Sequence, residues 1–146
     1  MTAAAELIET YRGRVSASEC DHLGHMNVQF YVARISDATV TLNHAIGVTA
    51  GYIRAQRRAL ATVHQEISYL AELKAGDLVV MHGAVLSVEA KKVRFVHRMT
   101  RVEDGAPVMT AKVLMLGMDL ERRKSVALEE PILARARLLL IDEGTS

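Results

Sequence analysis

The sequence of 146 residues is poor in several residue types, and each shortage argues against a class of protein. Cys20 is the only cysteine, so no disulfide can form within the chain, which is typical of a reducing compartment such as the cytoplasm. There is no tryptophan, and aromatic residues make up only 4% of the chain, which argues against a platform on which nucleic-acid bases stack. No stretch approaches the roughly 20 apolar residues that are needed to cross a bilayer.

Charge of one sign is also lacking. Lysine and arginine number 18 and aspartate and glutamate number 17, so the net charge of +1 predicts no attraction to nucleic acid or to an anionic membrane. The N-terminus carries Glu6 and Glu9 and has no long apolar run, so it is not typical of a signal peptide. Half of the residues are hydrophobic, and we therefore expect residues 1–146 to form a single soluble domain in the cytoplasm.

The periodicity of apolar residues predicts one long helix early in the chain. Asn27 stands where an N-cap is favoured, and Gly47 stands where a left-handed C-terminal cap is favoured. Between them, apolar residues recur at steps of three or four, at Tyr31, Ile35, Ala38, Leu42 and Ala45/Ile46. We therefore predict a helix over 28–46.

Beyond this helix the pattern changes to alternation, which is typical of strands. The predicted elements are a strand at 11–16, a short helix at 49–58, strands at 59–73, 78–90, 91–102 and 108–120, and a terminal helix at 131–140. Gly83 is predicted as a bulge or bend in its strand. Because the turns at 75–77 and 103–107 are tight, neighbouring strands should be antiparallel. The expected architecture is α+β, with one long helix wrapped by an antiparallel sheet.

A dense group of reactive side chains stands directly before the predicted long helix, in the stretch ECDHLGHMNVQFYVARISDA at 19–38. It can be read as a metal site, a nucleophile, an acid–base site or a polar loop that caps a helix. Metal sites usually need three or four ligands, whereas H-x-x-H supplies only His22 and His25. His44 is several turns away along the predicted helix, so we predict no metal.

Two readings of Asp21 stay open from the residues alone. A carboxylate near a helix N-terminus suits a general base or a nucleophile. It equally suits a polar loop, because a negative charge is favourable at the start of a helix. Neighbours on a strand point to opposite faces, so Cys20 should not share a site with Asp21, and we predict a small buried hydrophobe there.

The pattern D-x-x-G-H-x-N-x-x-Y at 21–31, followed by one long helix and four long strands, resembles the hotdog-fold thioesterases. It is most similar to the 4-hydroxybenzoyl-CoA thioesterase-like family. The stretch HQEISYLAELKAGDLVV at 64–80 also resembles the second strand, turn and third strand of that family. The resemblance covers about residues 11 to 130. It implies a hotdog fold and an acyl-CoA thioesterase that hydrolyses a small or medium acyl-CoA to the free acid and CoA.

The resemblance also implies roles for the residues before the helix. Asp21 would attack the thioester or activate the water that does. The backbone N–H of Val28, at the helix start, would polarise the thioester carbonyl. His25 would orient water or bind near the thioester, or else only close the loop. A related plant branch uses D-x-N-x-H-x-N, but Leu23 replaces its first Asn here, which argues against an Asn-dependent variant.

The remaining predictions concern binding and assembly. No organic cofactor is expected, because CoA enters as part of the substrate. The resemblance implies self-association as a homodimer or a dimer of dimers.

Two basic clusters are candidates for the CoA phosphates, with a solvated surface as the alternative for each: Lys91, Lys92, Arg94 and Arg98, and Arg122, Arg123 and Lys124. The other predicted substrate-binding residues are Asn27, Tyr31 and His64, with helix capping as the alternative role of Asn27.

Two other functions of hotdog proteins serve as alternatives. Hydratases and dehydratases resemble D-x-x-x-x-H, with five residues from Asp to His, whereas His25 follows Asp21 by four and Met26 holds the fifth place. A non-catalytic acyl-CoA binding or sensing domain would need an attached partner module, for which 146 residues leave no room. Both alternatives fit the sequence less well than a thioesterase.

Overall fold

The computed structural model describes residues 6–142, which form a sheet and three helices. The strands are β1 (Ile8–Arg14), β2 (Arg58–Tyr69), β3 (Leu78–Val88), β4 (Lys92–Arg101), β5 (Pro107–Asp119) and the short β6 (Lys124–Ser125). The helices are α1 (Val28–Ala45), α2 (Ala50–Gln56) and α3 (Glu130–Leu138), and a 3-10 turn covers Ala17–Glu19. The sheet is antiparallel in the order β1-β3-β4-β5-β2, and β6 pairs with the end of β5.

The predicted α+β architecture is confirmed. The long helix begins at Val28 as predicted and ends at Ala45, one residue before the predicted end at 46. Asn27 is its N-cap, and Gly47 follows it with a φ of 98°. Two strand predictions were wrong in their bounds. β1 begins at Ile8 rather than at residue 11, and β2 ends at Tyr69 rather than at residue 73. After Tyr69 the chain leaves the sheet edge, because the buried Leu73 accepts a hydrogen bond from the loop before α1.

The core lies between α1 and one face of the sheet. α1 buries a stripe of side chains at helical spacing, which are Tyr31, Arg34, Ile35, Ala38, Thr39 and Leu42. The facing side chains of β4 alternate along the strand and are Val93, Phe95, His97 and Met99. Each large apolar side chain that is fully buried here contributes about 1.5–3 kcal/mol of transfer free energy. None of the helices within residues 6–142 is long and apolar enough to cross a membrane.

Gly83 is not the site of a bulge, so the bulge that was predicted as one of its two roles is wrong. The register of β3 shifts later, between Val85 and Ser87. Gly83 is required because α1 approaches the sheet closely there. A Cβ atom at this position would lie 3.0 Å from Leu42 Cδ1 and 3.1 Å from the carbonyl oxygen of Val96. The glycine thus lets the helix pack directly on the strand.

Two polar side chains are buried together between α1 and β4. His97 is completely buried, and its Nε2 atom lies 3.0 Å from Thr39 Oγ1. The Nδ1 atom of His97 has no hydrogen-bond partner among the residues that the structure describes. Burial lowers the pKa of His97 to about 4, so the ring is neutral at physiological pH.

The two ends of the sheet carry different loops. At one end β2 and β4 finish and β3 and β5 begin, and the loop at residues 20–27 joins this end through the hydrogen bond from Met26 N to Leu73 O. At the other end, the turn at residues 119–124 connects β5 to β6. β5 has 13 residues, so the two ends are on the order of 40 Å apart at about 3.3 Å per residue.

Candidate active site

The loop at residues 20–27 is a closed turn that places Asp21 beside the N-terminus of α1. Cys20 and Met26 form an isolated antiparallel bridge. Inside it, the Asp21 amide donates to the His25 carbonyl at 3.0 Å, and the Gly24 amide donates to the Asp21 carbonyl at 2.9 Å. Gly24 has a φ of 84°, a left-handed conformation that glycine adopts without strain. The loop therefore turns back on itself within five residues.

Both carboxylate oxygens of Asp21 accept hydrogen bonds. Oδ1 accepts from the Leu23 amide at 2.9 Å, and Oδ2 accepts from Asn27 Nδ2 at 3.0 Å. The backbone amide of Leu23, followed by the side-chain amide of Asn27, holds the pKa of Asp21 below its ordinary value. The carboxylate is therefore ionised at neutral pH. Each oxygen keeps lone-pair capacity, so Asp21 can attack a carbonyl carbon or accept a proton from water.

Asn27 is confirmed as the helix cap, and it also contacts Asp21. Its Oδ1 atom accepts from the Gln29 amide at 3.1 Å, which is the usual capping bond. Its Nδ2 atom donates to Asp21. One side chain therefore fixes the carboxylate relative to the start of α1. The predicted contact of Asn27 with substrate stays a prediction.

Val28 is the first residue of α1, as predicted. An amide at this position has no acceptor within its own helix. The next amide, that of Gln29, is already bonded to Asn27. Val28 is 57% exposed, so the start of the helix is open to a ligand. The Val28 N–H is therefore a suitable donor to an oxyanion near Asp21, with the positive end of the helix dipole behind it.

His25 closes the loop against the segment after β2. Its Nε2 atom lies 2.8 Å from Glu72 Oε2. The adjacent Met26 amide donates to the Leu73 carbonyl at 2.8 Å. Glu72 is thus the side chain that His25 contacts. The predicted role of His25 in orienting water or binding near the thioester stays a prediction.

Two tyrosines form one wall beside the first turn of α1. Tyr31 is buried, and its ring meets that of Tyr69 edge to face with centroids 5.1 Å apart. Tyr69 is half exposed, so it is the part of this wall that a ligand can contact. Burial, followed by the nearby Tyr69, raises the pKa of Tyr31, so its hydroxyl stays neutral. Sequence reasoning missed Tyr69 and Glu72, although both lie in the stretch at 64–80 that supported the family resemblance.

His64, Arg94 and Arg98 lie on the sheet face that is opposite α1. His64 and Arg94 both pair in register with Leu114, and Arg98 pairs with Thr110. Arg98 also lines a shallow groove of about 340 Å³ on this face, together with Glu66, Ser68, Leu86, Val96, Thr110, Ala111 and Lys112. These basic residues therefore reach the sheet surface, but on the face away from the helix.

The second predicted basic cluster lies at the far end of the sheet. Arg122 and Arg123 occupy the turn between β5 and β6, and Lys124 begins β6. All three are exposed. Within one protomer the length of β5 separates this cluster from Asp21. One protomer therefore brings together Asp21, Asn27 and Val28 but not Arg122, Arg123 and Lys124.

Cys20 is half-buried rather than fully buried, and it packs against the edge of the core. Its thiol donates to the Ser16 carbonyl at 3.8 Å, because the 3-10 turn at 17–19 ends on this residue. Within residues 6–142, the structure contains no group of three or more histidine, cysteine, aspartate or glutamate side chains that could hold a metal ion.

Comparisons with known proteins show what the whole chain is similar to. Over 129 residues the chain is 33% identical to an L-carnitine dehydrogenase/betainyl-CoA thioesterase from Agrobacterium fabrum, covering 88% of this chain but only 26% of that relative. It is 25% identical to a betainyl-CoA thioesterase from Pseudomonas aeruginosa, covering 92% of this chain and 85% of that one. The chain thus spans about a quarter of the first relative.

The solved structures show the same fold. A Staphylococcus aureus protein in complex with CoA superposes with a TM-score of 0.88 at 22% identity, over 100% of this chain and 92% of that one. The predicted hotdog fold is confirmed. The sequence profile of the thioesterase-like superfamily matches residues 15–136, which include the Asp21 loop, α1 and the four long strands β2 to β5. The chain belongs to the thioesterase-like superfamily.

Proposed function

We propose that this chain is an acyl-CoA thioesterase in which Asp21 and the Val28 N–H act on the thioester. The observation that carries this proposal is the pairing of an ionised carboxylate with an open helix N-terminus in one hydrogen-bonded loop. Asp21 is ionised because the Leu23 and Asn27 donors hold its pKa low. The Val28 amide is the first of α1 and has no acceptor inside the helix.

The proposed chemistry needs only these groups and water. Asp21 either attacks the carbonyl carbon or accepts a proton from the water that attacks it. In both routes the carbonyl oxygen becomes an oxyanion, which the Val28 N–H stabilises. The C–S bond then breaks and CoA leaves as a thiolate. The nucleophilic route adds a second step, in which water hydrolyses the anhydride on Asp21. Neither route requires a metal or an organic cofactor.

Betainyl-CoA is the first substrate to test. Two relatives are named betainyl-CoA thioesterases, and their acyl group would carry a quaternary ammonium cation. The candidate site offers groups that favour such a cation. Asp21 and Glu72 are carboxylates of this end of the sheet, and the half-exposed Tyr69 presents an aromatic ring. An anionic acyl group would be repelled by the same residues.

We also propose a homodimer in which β2 edges pair. The outer edge of β2 pairs with no other strand among residues 6–142, and Val63 on it is 51% exposed. Val32 and Val40 of α1 are also exposed and flank a groove of about 370 Å³ between α1 and β2. An exposed edge beside apolar side chains needs cover, which a two-fold pairing supplies.

This pairing would complete the substrate site. If the two β2 strands run antiparallel, Tyr69 of one protomer lies near Arg58 of its partner. Arg58 is opposite Asp119, where the turn with Arg122 and Arg123 begins. Basic residues of one protomer would thus lie near Asp21 of the other. CoA phosphates bound there would place the thioester at the 20–27 loop.

The test is thiol release from a panel of acyl-CoA substrates that includes betainyl-CoA, acetyl-CoA, butyryl-CoA and an enoyl-CoA. We expect release of free CoA with betainyl-CoA at a rate well above that of the Asp21→Asn variant. Activity should persist with a metal chelator. If no member releases thiol, the proposal is wrong. Loss of the enoyl absorbance without thiol release would indicate a hydratase instead.

A further inference from the structure

Arg34 is a charged residue in the core, on the buried face of α1. Its side chain is only 5% exposed. The guanidinium binds Glu19 through two parallel bonds, with Nη1 3.0 Å from Oε2 and Nη2 2.9 Å from Oε1. Nη2 also donates to the Arg14 carbonyl at 3.0 Å, and Nη1 donates to the Phe30 carbonyl at 3.2 Å. The pair therefore joins β1, the 3-10 turn and α1.

Glu19 connects this pair to the loop that carries Asp21. Its Oε1 atom also accepts from the Ser16 amide at 2.8 Å, which fixes the 3-10 turn. Its backbone carbonyl accepts from the Asn27 amide at 2.9 Å. The Asn27 side chain in turn donates to Asp21. A connected path thus runs from Arg34 through Glu19 and Asn27 to the Asp21 carboxylate.

Stability alone does not account for this ion pair, in which Arg34 is buried and the Glu19 side chain is 19% exposed. Removing a charge such as that of Arg34 from water costs several kcal/mol, and apolar replacements of similar volume are often as stable or more stable. The Nε atom of Arg34 is moreover buried without a hydrogen-bond partner among residues 6–142, which adds a penalty. What the pair does supply is a fixed geometry, because a bidentate bond restrains the orientation of both side chains.

We propose that Arg34 and Glu19 are positioning residues that hold Asn27, and through it the Asp21 carboxylate, in register with the Val28 N–H. This inference rests on the proposed function, in which Asp21 and Val28 act on the thioester. A misplacement of about 1 Å at a reacting group can lower a rate about 100-fold. The pair therefore acts on the chemical step without touching the substrate.

The central experiment replaces the pair with neutral side chains of similar size, as Arg34→Met/Glu19→Gln. The glutamine that replaces Glu19 would still accept from the Ser16 amide, and no unpaired charge would be left buried. We expect kcat to fall at least about tenfold, with KM within about twofold of wild type. The melting temperature should be unchanged or higher. The control is Arg137→Met/Glu130→Gln, which removes an exposed pair of 2.9 Å on α3 and should change none of these values.

A pH profile separates positioning from general weakening. The lowered pKa of Asp21 depends on the Leu23 and Asn27 donors, while His22 and His25 are the nearby titratable groups that also lower it. The double variant leaves both histidines in place. If the loop loosens, Asp21 loses its donors and its pKa rises, so the acid limb of kcat/KM should move to higher pH. Loss of folded protein alone would not move this limb.

A second readout does not depend on activity. Amide hydrogen exchange, followed by mass spectrometry, should be faster in residues 20–27 of the double variant and unchanged in the control. A folded double variant with wild-type kcat would overturn the proposal. If wild type hydrolyses no acyl-CoA, the proposed function fails, and unchanged exchange in 20–27 would then overturn the positioning role separately. If the double variant does not fold, Arg34→Lys carries the same test, because it keeps the charge but not the two parallel bonds.

Discussion

Asn27 Nδ2 donates a hydrogen bond of 3.0 Å to Asp21 Oδ2, while the Oδ1 atom of the same Asn27 caps α1 through the Gln29 amide. This relationship explains the spacing of D-x-x-G-H-x-N. Gly24 turns the chain back in a left-handed conformation, so the sixth residue after Asp21 returns to it. The helix N-terminus and the carboxylate are therefore joined by one side chain.

The first prediction concerns Asp21→Asn. The variant loses the charge that the proposed chemistry needs, so kcat should fall at least about 100-fold, the lower end for loss of general catalysis. One hydrogen bond of the loop is also lost. The side chain of Asn has one oxygen that accepts, whereas the two oxygens of Asp21 accept from Leu23 and from Asn27. Circular dichroism should show a native fold. The measurement is thiol release from the best acyl-CoA substrate.

The matched control for this variant is Asp37→Asn, which changes an exposed carboxylate on α1. Its kcat should equal that of wild type. Near-normal turnover by Asp21→Asn would contradict the assignment of Asp21, whereas equal losses in both variants would point to an effect of charge in general.

Features with a local signal were predictable from the sequence. Asn27 and Gly47 bound the long helix as N-cap and C-terminal glycine, because both act on the nearest backbone groups. Partners that are distant in sequence were not predictable. Glu72 reaches His25 only because the chain has run the length of β2 to the same end of the sheet. Nothing in the residues near His25 indicates this contact. Strand alternation likewise predicts on which face of the sheet a side chain lies, but not that a helix packs closely on that face, so the close approach of Leu42 to Gly83 was not predictable.

The second prediction concerns the buried His97. Its folded pKa of about 4 is below the value of 6.5 for an unfolded chain, so the unfolded state binds more protons between these two values. Stability should therefore fall as the pH falls through this window. The free energy of unfolding should drop by about 2 kcal/mol between pH 7 and pH 5 from this residue alone. Urea unfolding at a fixed protein concentration measures it.

The variant His97→Gln tests whether this histidine is the cause. Gln still offers hydrogen-bonding groups to Thr39 but does not titrate. Between pH 7 and pH 5 the free energy of unfolding should therefore fall by about 2 kcal/mol less in the variant than in wild type. The lowered pKa values of Asp21 and Glu19 act at more acidic pH and do not interfere in this window. Equal slopes for wild type and His97→Gln would refute the prediction.

The third prediction concerns assembly through β2. Static light scattering should show a homodimer or a tetramer of two dimers. Val63→Lys places a charge on the exposed edge of β2 and should shift the protein toward monomer, because a lysine on an edge strand opposes pairing. Val102→Lys changes an exposed valine just beyond β4 and serves as the control. A stable wild-type monomer that retains full activity would rule out this assembly.

The fourth prediction concerns the CoA phosphates. Replacing Arg122 and Lys124 with Gln and Arg123 with Asn should raise KM for acyl-CoA much more than it lowers kcat, because phosphate contacts are the same in the ground and transition states. Asn suits position 123, whose φ is 58°. The corresponding N-acetylcysteamine thioester lacks the nucleotide, so its kinetic constants should not change.

The competing cluster is tested in the same way, by neutralising Lys91, Lys92, Arg94 and Arg98 together. Lys91 and Lys92 lie at the start of β4, which is the end of the sheet far from the Asp21 loop, whereas Arg98 lies near the end of β4, on the sheet face away from α1. The cluster whose loss raises KM for acyl-CoA, but not for the N-acetylcysteamine thioester, is the phosphate site. If neither set changes KM, both assignments are wrong.

The fifth prediction concerns the oxyanion donor, which only a backbone change can remove. Proline is well tolerated at the first helical position, which Val28 occupies. The preceding Asn27 has φ −68° and ψ 148°, a conformation that a residue before proline favours. The side chain of Val28 is more than half exposed, so little packing is lost. Val28→Pro should therefore keep the helix and delete one N–H.

If this N–H stabilises the oxyanion, Val28→Pro should lower kcat about 10²–10³-fold, the usual loss for one such donor. KM should change little, because the bond strengthens mainly in the transition state. Val28→Ala removes side-chain bulk but keeps the N–H, and it should retain wild-type kcat. The Gln29 amide is bonded to Asn27 and does not provide an obvious substitute. A folded Val28→Pro protein with unchanged kcat would therefore show that the oxyanion is stabilised outside the start of α1.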